Sequence, residues 1–102
     1  MSGVIVRYRV RPECAELNER LIAEVFDELR AVAPAGLNYQ SVVLEDGVSF
    51  VHLVDGDSAV LNELPAFQRF AWTVGERCED PPVATAVRRV GHYDGQDEGR
   101  DR

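Results

Sequence analysis

The sequence predicts a single α+β domain in which two helices pack against one small β-sheet. Three observations carry that prediction. Alternating apolar residues indicate strands near both ends of the chain and in its middle, longer stretches with apolar residues three and four positions apart indicate two helices, and the order is β-α-β-β-α-β. At 102 residues the chain can bury roughly two thirds of its unfolded surface in one core, which leaves no room for a second domain.

Apolar periodicity predicts the first strand and the first helix. Two faces alternate along residues 4–11, with Val4, Val6, Tyr8 and Val10 on one and Ile5, Arg7, Arg9 and Arg11 on the other. Pro12 ends this strand, and residues 13–32 should form a helix because apolar side chains recur at helical spacing. These side chains are Cys14, Leu17, Leu21, Val25 and Leu29. Pro34 cannot continue the helix and Gly36 can adopt a positive φ, so the helix should stop there.

Two strands joined by a tight turn are predicted next. Residues 37–45 and 48–54 are rich in β-branched and aromatic side chains, and Asp46-Gly47 between them is a preferred pair for a two-residue type I′ turn. That turn would place Ser41 opposite His52. One side of this hairpin would carry Tyr39, Ser41, Val43, Glu45, Val48, Phe50, His52 and Val54, and the other Val42, Leu44, Val51 and Leu53. Because both sides are apolar, each needs a cover.

A second helix and a last strand complete the predicted domain. Asp57 or Ser58 is suited to cap a short helix that ends near residue 63, and Pro65 fits the first turn of the next helix. That helix should bury a stripe made of Phe67, Phe70, Ala71, Val74 and Cys78, with Trp72 off its centre. Residues 79–82 should close it, and residues 83–93 should form the last strand. We expect residues 1–93 to be the domain and the polar residues 94–102 to be a disordered acidic tail.

Charge and composition exclude several classes of partner. The net charge of −7 repels nucleic acid and anionic membrane surfaces. All 11 basic residues are arginine, which excludes a lysine Schiff base and a lysine-anchored cofactor. The first ten residues lack the continuous apolar run of a signal peptide or membrane anchor, so we expect a cytoplasmic protein. Cys14 and Cys78 are then expected to be free thiols.

The order of elements is that of the ferredoxin-like fold. Its right-handed crossovers place both helices on one face of a four-stranded antiparallel sheet. The other face would expose one apolar side of the central hairpin, so we expect a homodimer that buries this sheet face. Arginines of the first strand would lie near that face, paired with carboxylates such as Glu45 or binding an anion. The same topology brings Cys14 and Cys78 to one end of the domain, where a disulfide is the alternative to free thiols.

Several segments together carry a resemblance to a known group of proteins. They are Val10-Arg11-Pro12 leading into a helix, the central hairpin, Pro65-Ala66-Phe67-Gln68-Arg69-Phe70 and the final strand. Over about residues 4–93 the chain resembles the dimeric α/β-barrel superfamily, in particular antibiotic-biosynthesis-monooxygenase (ABM) domains. The resemblance implies two sheets packed face to face as a barrel, with a pocket in each subunit between sheet and helices.

Three positions depart from that superfamily's pattern. The superfamily often has Ser-Pro-His-Phe where this chain has Leu64-Pro65-Ala66-Phe67, and its common Glu-x-Trp pair has no counterpart around Val54-Asp55-Gly56. Ala71 stands about where haem-degrading members have a histidine ligand, which argues against haem. Two functions therefore stay open. One is a cofactor-independent monooxygenase of an electron-rich aromatic, quinol or polyketide-like; the other is a non-catalytic dimer that binds a small ligand or serves as an interaction module.

His52 is the candidate catalytic base. An imidazole with a pKa of about 6.5 can take the proton of a phenolic substrate near neutral pH. The alternative is a hydrogen-bonded histidine of the core or interface. The candidate binding residues for a small apolar or aromatic ligand are Tyr8, Tyr39, Phe67, Phe70 and Trp72. Core packing is the alternative for the first four, whereas the off-centre Trp72 would otherwise meet the partner subunit or lie on the surface. His92 has no spacing that suggests a metal site with His52, so no metal is predicted.

Overall fold

A four-stranded antiparallel sheet carrying both helices on one side is the framework of the protein. The computed structural model describes residues 2–95. Its elements are β1 (Ser2–Val10), α1 (Ala15–Val32), β2 (Leu37–Val43), β3 (Ser49–Gly56), α2 (Pro65–Arg77) and β4 (Cys78–Arg88), with short 3-10 turns at Pro12–Cys14 and Ser58–Glu63. The strand order β2-β3-β1-β4 confirms the ferredoxin-like α+β arrangement predicted from the sequence.

The core lies between the helices and the sheet. Strand alternation turns Tyr8, Val10 and Phe50 toward the helices, where α1 contributes Val25 and α2 contributes Phe70. Each of these five side chains is at most 5% exposed. Burying an apolar side chain of this size contributes about 1.5–3 kcal/mol, so this layer supplies much of the stability of the fold.

The ends of α1 agree with the sequence to within two residues. A 3-10 turn over Pro12–Cys14 precedes the helix, which therefore begins at Ala15. At the other end Ala33 adopts a left-handed φ of 51°, and its amide donates to the Leu29 carbonyl oxygen at 2.7 Å. The predicted stop is confirmed, although alanine rather than glycine takes the left-handed position directly after the helix.

The turn predicted between β2 and β3 is wrong, although the register is right. A type I′ turn needs positive φ at both Asp46 and Gly47, and only Gly47 has it, at 78°. The Asp46 carboxylate instead accepts hydrogen bonds from the amides of Val48 and Ser49, both at 2.9 Å, and holds a longer loop. The Ser49 hydroxyl, which donates to Asp46 Oδ2 at 2.6 Å, keeps the pKa of Asp46 below its usual value together with these two amides. The two strands still pair in the predicted register.

The segment that precedes α2 is bent at proline, as predicted. The 3-10 turn Ser58–Glu63 ends before α2 begins at Pro65. The Asp57 side chain does not cap that turn, which corrects the predicted cap. One free amide at the start of α2, that of Ala66, is instead satisfied by Glu28 of α1, whose Oε1 lies 2.8 Å from it. This bond ties the two helices together.

Helix α2 and strand β4 meet without the break predicted between them. Residues 79–82 were expected to close the helix, but α2 ends at Arg77 and β4 begins at Cys78. Pro81 and Pro82 therefore lie within a strand. An edge strand tolerates them because one of its sides needs no ladder hydrogen bonds, and the register between β1 and β4 shifts near them.

The last strand also ends earlier than predicted. It stops at Arg88, whereas residues 83–93 were expected to form it. The predicted tail over residues 94–102 lies, from residue 96 onward, outside the described residues. Within residues 2–95 neither helix is long and apolar enough to cross a membrane.

The sheet face away from the helices, the open face, carries exposed apolar side chains. Val42, Leu44 and Val83 are 44%, 48% and 55% exposed, respectively. The predicted arginine face is on this side, but Arg9 does not pair with Glu45. It forms ion pairs with Glu79 and Asp80 of neighbouring β4, at 3.5 Å and 3.1 Å.

Candidate functional site

Five of the six candidate site residues meet between the sheet and the helices. They are Tyr8, Tyr39, His52, Phe67 and Phe70. The His52 ring lies at their centre, with its centroid 5.4 Å from that of Tyr8 and 5.4 Å from that of Phe70. Trp72 does not join this cluster, because its side chain is 77% exposed at the surface of α2.

Strand register brings the polar side chains to the His52 ring. Ser41 pairs with His52 across β2 and β3, as the sequence predicted, and its Oγ lies 2.5 Å from His52 Nδ1. The Tyr39 hydroxyl lies 3.2 Å from the same nitrogen. On the other side of the ring the Tyr8 hydroxyl lies 2.7 Å from Nε2. His52 is only 3% exposed, so these hydroxyls satisfy a buried imidazole on both nitrogens.

Two further buried residues continue these hydrogen bonds into the helices. Asn18 Nδ2 donates to the Tyr8 hydroxyl at 3.0 Å, and Arg77 Nε donates to Asn18 Oδ1 at 2.9 Å. Arg77 also donates to Thr73 Oγ1 at 2.7 Å and to the Phe70 carbonyl oxygen at 3.2 Å. Its guanidinium carbon lies 5.5 Å from the centre of the Phe70 ring, a cation–π contact. We call Arg77, Asn18, Tyr8, His52 and Ser41 the polar chain.

Asn18 and Arg77 were not among the predicted site residues, although the sequence carries a signal for each. Asn18 stands four residues after Cys14 and three before Leu21, a core position of the α1 stripe. Arg77 stands seven residues after Phe70, on the buried side of α2. A polar residue at a core position of a helix needs a buried partner, so the two positions together would have predicted a polar contact between the helices.

Burial decides which groups of the cluster are charged. It lowers the pKa of His52 from 6.5 to about 4, so the ring is neutral at pH 7. Burial raises the pKa of Tyr39 to about 12 and also raises the pKa of Tyr8, so both phenols keep their protons. Burial lowers the pKa of Arg77 as well. The cluster can therefore pass protons between neutral groups, with Arg77 as its fixed cation.

Cavities adjoin the edges of the cluster. One of about 390 Å³ lies on the helix-facing side near the start of α2, where Phe67, Val54 and Leu61 line it. Another, of about 200 Å³, is lined by Ser41 and by Ile22 of α1. These cavities leave space beside the aromatic rings, while the His52 ring itself is enclosed.

The thiols and the second histidine do not form a metal site in the part of the chain that the structure describes. No group of three or more His, Cys, Asp or Glu side chains there lies close enough to hold a metal ion. Cys14 and Cys78 are free thiols that pack against the core. Arg11 Nη2 donates to Cys14 Sγ at 3.4 Å, and burial raises the pKa of Cys78.

A second buried polar residue lies at the end of β3. Asp55 is 7% exposed, and its Oδ2 accepts a hydrogen bond from Arg89 Nη2 at 2.9 Å. Its Oδ1 has no hydrogen-bond partner within residues 2–95. Asp55 and Gly3 line both the 390 Å³ cavity and another of about 430 Å³ that His92 also lines.

Solved structures share this fold over almost the whole chain. An antibiotic biosynthesis monooxygenase is 21% identical, with a TM-score of 0.71 over 89% of this chain and 100% of that chain. A protein of Nitrosomonas europaea named for the same activity has a TM-score of 0.74 at 15% identity, with coverages of 89% and 100%. A mutant of SnoaB, a cofactor-independent oxygenase from Streptomyces nogalater, has a TM-score of 0.62 at 14% identity, with coverages of 89% and 94%.

Comparison by sequence finds no match. The sequence matches no protein-family model and no curated protein sequence. At identities of 14–21% the structural likeness shows a common fold. The resemblance proposed from the sequence is confirmed at that level, and the chain has the fold of an ABM-like domain.

Proposed function

We propose that this protein is a cofactor-independent monooxygenase that acts on an electron-rich aromatic substrate, such as a quinol or a polyketide-like phenol. The observation that carries the proposal is the neutral His52 ring, held among aromatic side chains between the sheet and the helices of an ABM-like fold. Aromatic walls favour an aromatic ligand, and a proton acceptor among them suits a substrate that must lose a proton.

The proposed reaction needs no reductant other than the substrate. Loss of a proton gives a substrate anion, and a carbon of that anion transfers electrons to O2 and forms a bond to one oxygen atom. For an anthrone-like CH2 group the balance is CH2 plus O2 giving C=O plus H2O. The protein has then to bind the ring, take the proton and return it to the leaving oxygen.

His52 is the proposed base, and its surroundings set its strength. With a pKa of about 4 the free ring is a weak acceptor at neutral pH. A substrate anion beside the ring would raise that pKa, because an opposite charge favours the imidazolium. The base therefore becomes effective when the substrate is bound and its negative charge develops. Proton transfer and substrate binding are coupled in this way.

The substrate ring would enter from the cavity beside α2. Phe67 lines that cavity and also contacts the cluster, with its ring centroid 6.5 Å from that of Tyr39 in an edge-on arrangement. Tyr8, Tyr39, Phe67 and Phe70 are the proposed binding residues. Trp72 is left out of this set because its ring is exposed.

We propose that the protein works as a homodimer formed through the open face. Val42, Leu44 and Val83 on this face are exposed, and Val51 and Leu53 are half-buried beside them. A contiguous apolar face of this kind favours association with a second copy. Sedimentation at micromolar concentration should give a dimer, and the double substitution Val42→Asp with Val83→Asp should give a folded monomer. A monomeric wild-type protein would contradict the dimer.

Oxygen uptake with a panel of quinols and anthrones tests the enzyme. We expect uptake with at least one of these substrates, and mass spectrometry after 18O2 should find one labelled atom in the product. His52→Gln should lower the rate about 100-fold or more, the usual contribution of a general base. Arg30→Gln, an exposed site on α1, is the control and should keep the wild-type rate. Uptake that is unchanged in His52→Gln would remove His52 from the mechanism.

One observation favours a second candidate, a non-catalytic dimer that binds a small ligand. Both His52 nitrogens already contact hydroxyl groups of the protein, as in a histidine whose role is structural. This candidate predicts binding of aromatic ligands without oxygen uptake across the panel. Calorimetric titration of the same compounds, done alongside the uptake assay, separates the two candidates.

A further inference from the structure

The donor and the acceptor of each hydrogen bond in the polar chain can be assigned in order, beginning at Arg77. A guanidinium group only donates hydrogen bonds, and Arg77 Nε lies 2.9 Å from Asn18 Oδ1. The Asn18 amide cannot be flipped, because its NH2 group would then face another donor. Asn18 therefore presents Nδ2, a donor, to the Tyr8 hydroxyl oxygen 3.0 Å away.

Tyr8 passes this direction on to His52. Its oxygen accepts from Asn18, so its single hydrogen is free to go to His52 Nε2 at 2.7 Å. If Nε2 carried a hydrogen instead, Tyr8 would accept twice and its own hydrogen would lack an acceptor within residues 2–95. Tyr8 is 5% exposed, so water does not readily supply that acceptor.

The other ring nitrogen must then carry the hydrogen. A neutral imidazole has one N–H group, and the buried ring is neutral at pH 7. His52 Nδ1 lies 2.5 Å from Ser41 Oγ and 3.2 Å from the Tyr39 hydroxyl, and either oxygen can accept its hydrogen. The hydrogen bonds of the polar chain therefore all point the same way, from donor to acceptor, starting at Arg77 and ending at Ser41.

We propose that Arg77 and Asn18 are positioning residues that hold His52 as its Nδ1–H tautomer, with Nε2 as the acceptor nitrogen behind the Tyr8 hydroxyl. This tautomer gives the two sides of the ring opposite character. The Tyr8 side accepts a hydrogen bond, and the side of Ser41 and Tyr39 donates one.

The consequence for chemistry rests on the proposed function. A substrate hydroxyl that contacts Tyr8 gives its proton to the Tyr8 oxygen while the Tyr8 hydrogen moves to His52 Nε2. The products are a substrate anion, a neutral Tyr8 and an imidazolium, so one proton has moved and charge is conserved. A ligand that approaches from Ser41 or Tyr39 instead meets an N–H donor, so it must present an acceptor such as a carbonyl oxygen.

Nitrogen NMR of the ligand-free protein tests the tautomer. In protein labelled with 15N-histidine at neutral pH, we expect Nδ1 of His52 at the shift of a protonated nitrogen and Nε2 at that of an unprotonated one. The His92 signals are removed by His92→Gln. A wild-type ring protonated at Nε2 would overturn the proposal.

The substitution Asn18→Asp tests the cause. A carboxylate accepts from Arg77 and must also accept from Tyr8, so the Tyr8 oxygen would turn to accept from His52. The tautomer should therefore reverse to Nε2–H. Ser41→Ala is the matched control, because Tyr39 still accepts from Nδ1 and the tautomer should not change. An Asn18→Asp protein that keeps the Nδ1–H tautomer would contradict the role of Asn18.

A second variant keeps the proposal testable if Asn18→Asp does not fold. Arg77→Gln supplies a side chain that can donate or accept, so both tautomers should be populated, and a pure Nδ1–H ring would count against Arg77. These measurements use no substrate, so their failure is distinct from that of the proposed function. An Nδ1–H ring in a protein without oxygen uptake would contradict only the proposed oxygenase function. An active protein with an Nε2–H ring would contradict only the proposed tautomer.

Discussion

The two faces of the sheet differ in the kind of group that is out of its usual surroundings. The helix-facing side buries a histidine, an asparagine and an arginine in the core, and each has hydrogen-bond partners there. The open face has apolar side chains in water and an arginine that pairs with neighbouring carboxylates. The buried polar groups thus find their hydrogen-bond partners within the protein, whereas the apolar side chains of the open face can be buried only by another molecule. We assign chemistry to the first face and association to the second.

The largest difference between the faces is expected from apolar truncation. Phe70→Ala removes a ring that is 5% exposed and contacts His52, Tyr8 and Phe67, and should lower the free energy of unfolding by about 3–5 kcal/mol. Leu44→Ala on the open face, where the side chain is 48% exposed, should cost about 0.5 kcal/mol or less when both variants are made in the Val42→Asp/Val83→Asp monomer. Urea unfolding of both variants measures this, and equal losses would remove the contrast.

The buried histidine should make stability depend on pH. Its pKa falls from 6.5 in the unfolded chain to about 4 in the fold, so the unfolded chain binds more protons between these values. The contribution is complete above pH 6.5 and is lost as pH falls through about 4, a total of about 3 kcal/mol. Unfolding of wild type and His52→Gln across this range isolates it. Parallel curves for the two proteins would contradict a depressed pKa.

Removal of one hydroxyl from the polar chain should have an intermediate effect. Tyr8→Phe leaves His52 Nε2 and Asn18 Nδ2 buried without a partner, at a cost of about 1–3 kcal/mol. Ser41→Ala should cost less, because the Tyr39 hydroxyl remains near the same nitrogen. Thermal unfolding of both variants checks the order, and a larger loss for Ser41→Ala would show that the Tyr8 bonds matter little.

The smallest effect is expected at Trp72. Its ring is 77% exposed, so Trp72→Ala should change the free energy of unfolding by about 0.5 kcal/mol or less and leave oxygen uptake at the wild-type rate. Tryptophan is usually costly to truncate, which makes this a strict test of its position. A loss of oxygen uptake in Trp72→Ala would show that Trp72 is a binding residue after all.

The sequence predicted those features that depend on a repeating pattern. Strand alternation gave the register that places Ser41 beside His52, and helical spacing gave both helices. The type I′ turn was predicted wrongly, because the Asp46 carboxylate accepts hydrogen bonds from the amides of Val48 and Ser49 and so stabilises a different loop. Pro81 and Pro82 misled the prediction of β4, since proline is compatible with an edge strand and the sequence does not say which strand is the edge.

The candidate site was predicted only in part. Strand alternation put Tyr39 and His52 on one side of the hairpin, and helical spacing put Phe67 and Phe70 on the buried stripe of α2. Asn18 and Arg77 were not predicted, because partners on different elements become apparent only when both helices are placed. Trp72 was a candidate although its helical phase already placed it off the centre of the buried stripe, and its side chain is 77% exposed.

A titration under argon with hydroquinone tests the assignment of chemistry to the helix-facing side most directly. Aromatic and methyl NMR spectra report where the phenol binds, and exclusion of oxygen prevents turnover. We predict saturable shifts of Phe67, Tyr39 and His52, with Val42 and Val83 of the open face unchanged. Shifts confined to Val42 and Val83, with none at His52, would contradict the account.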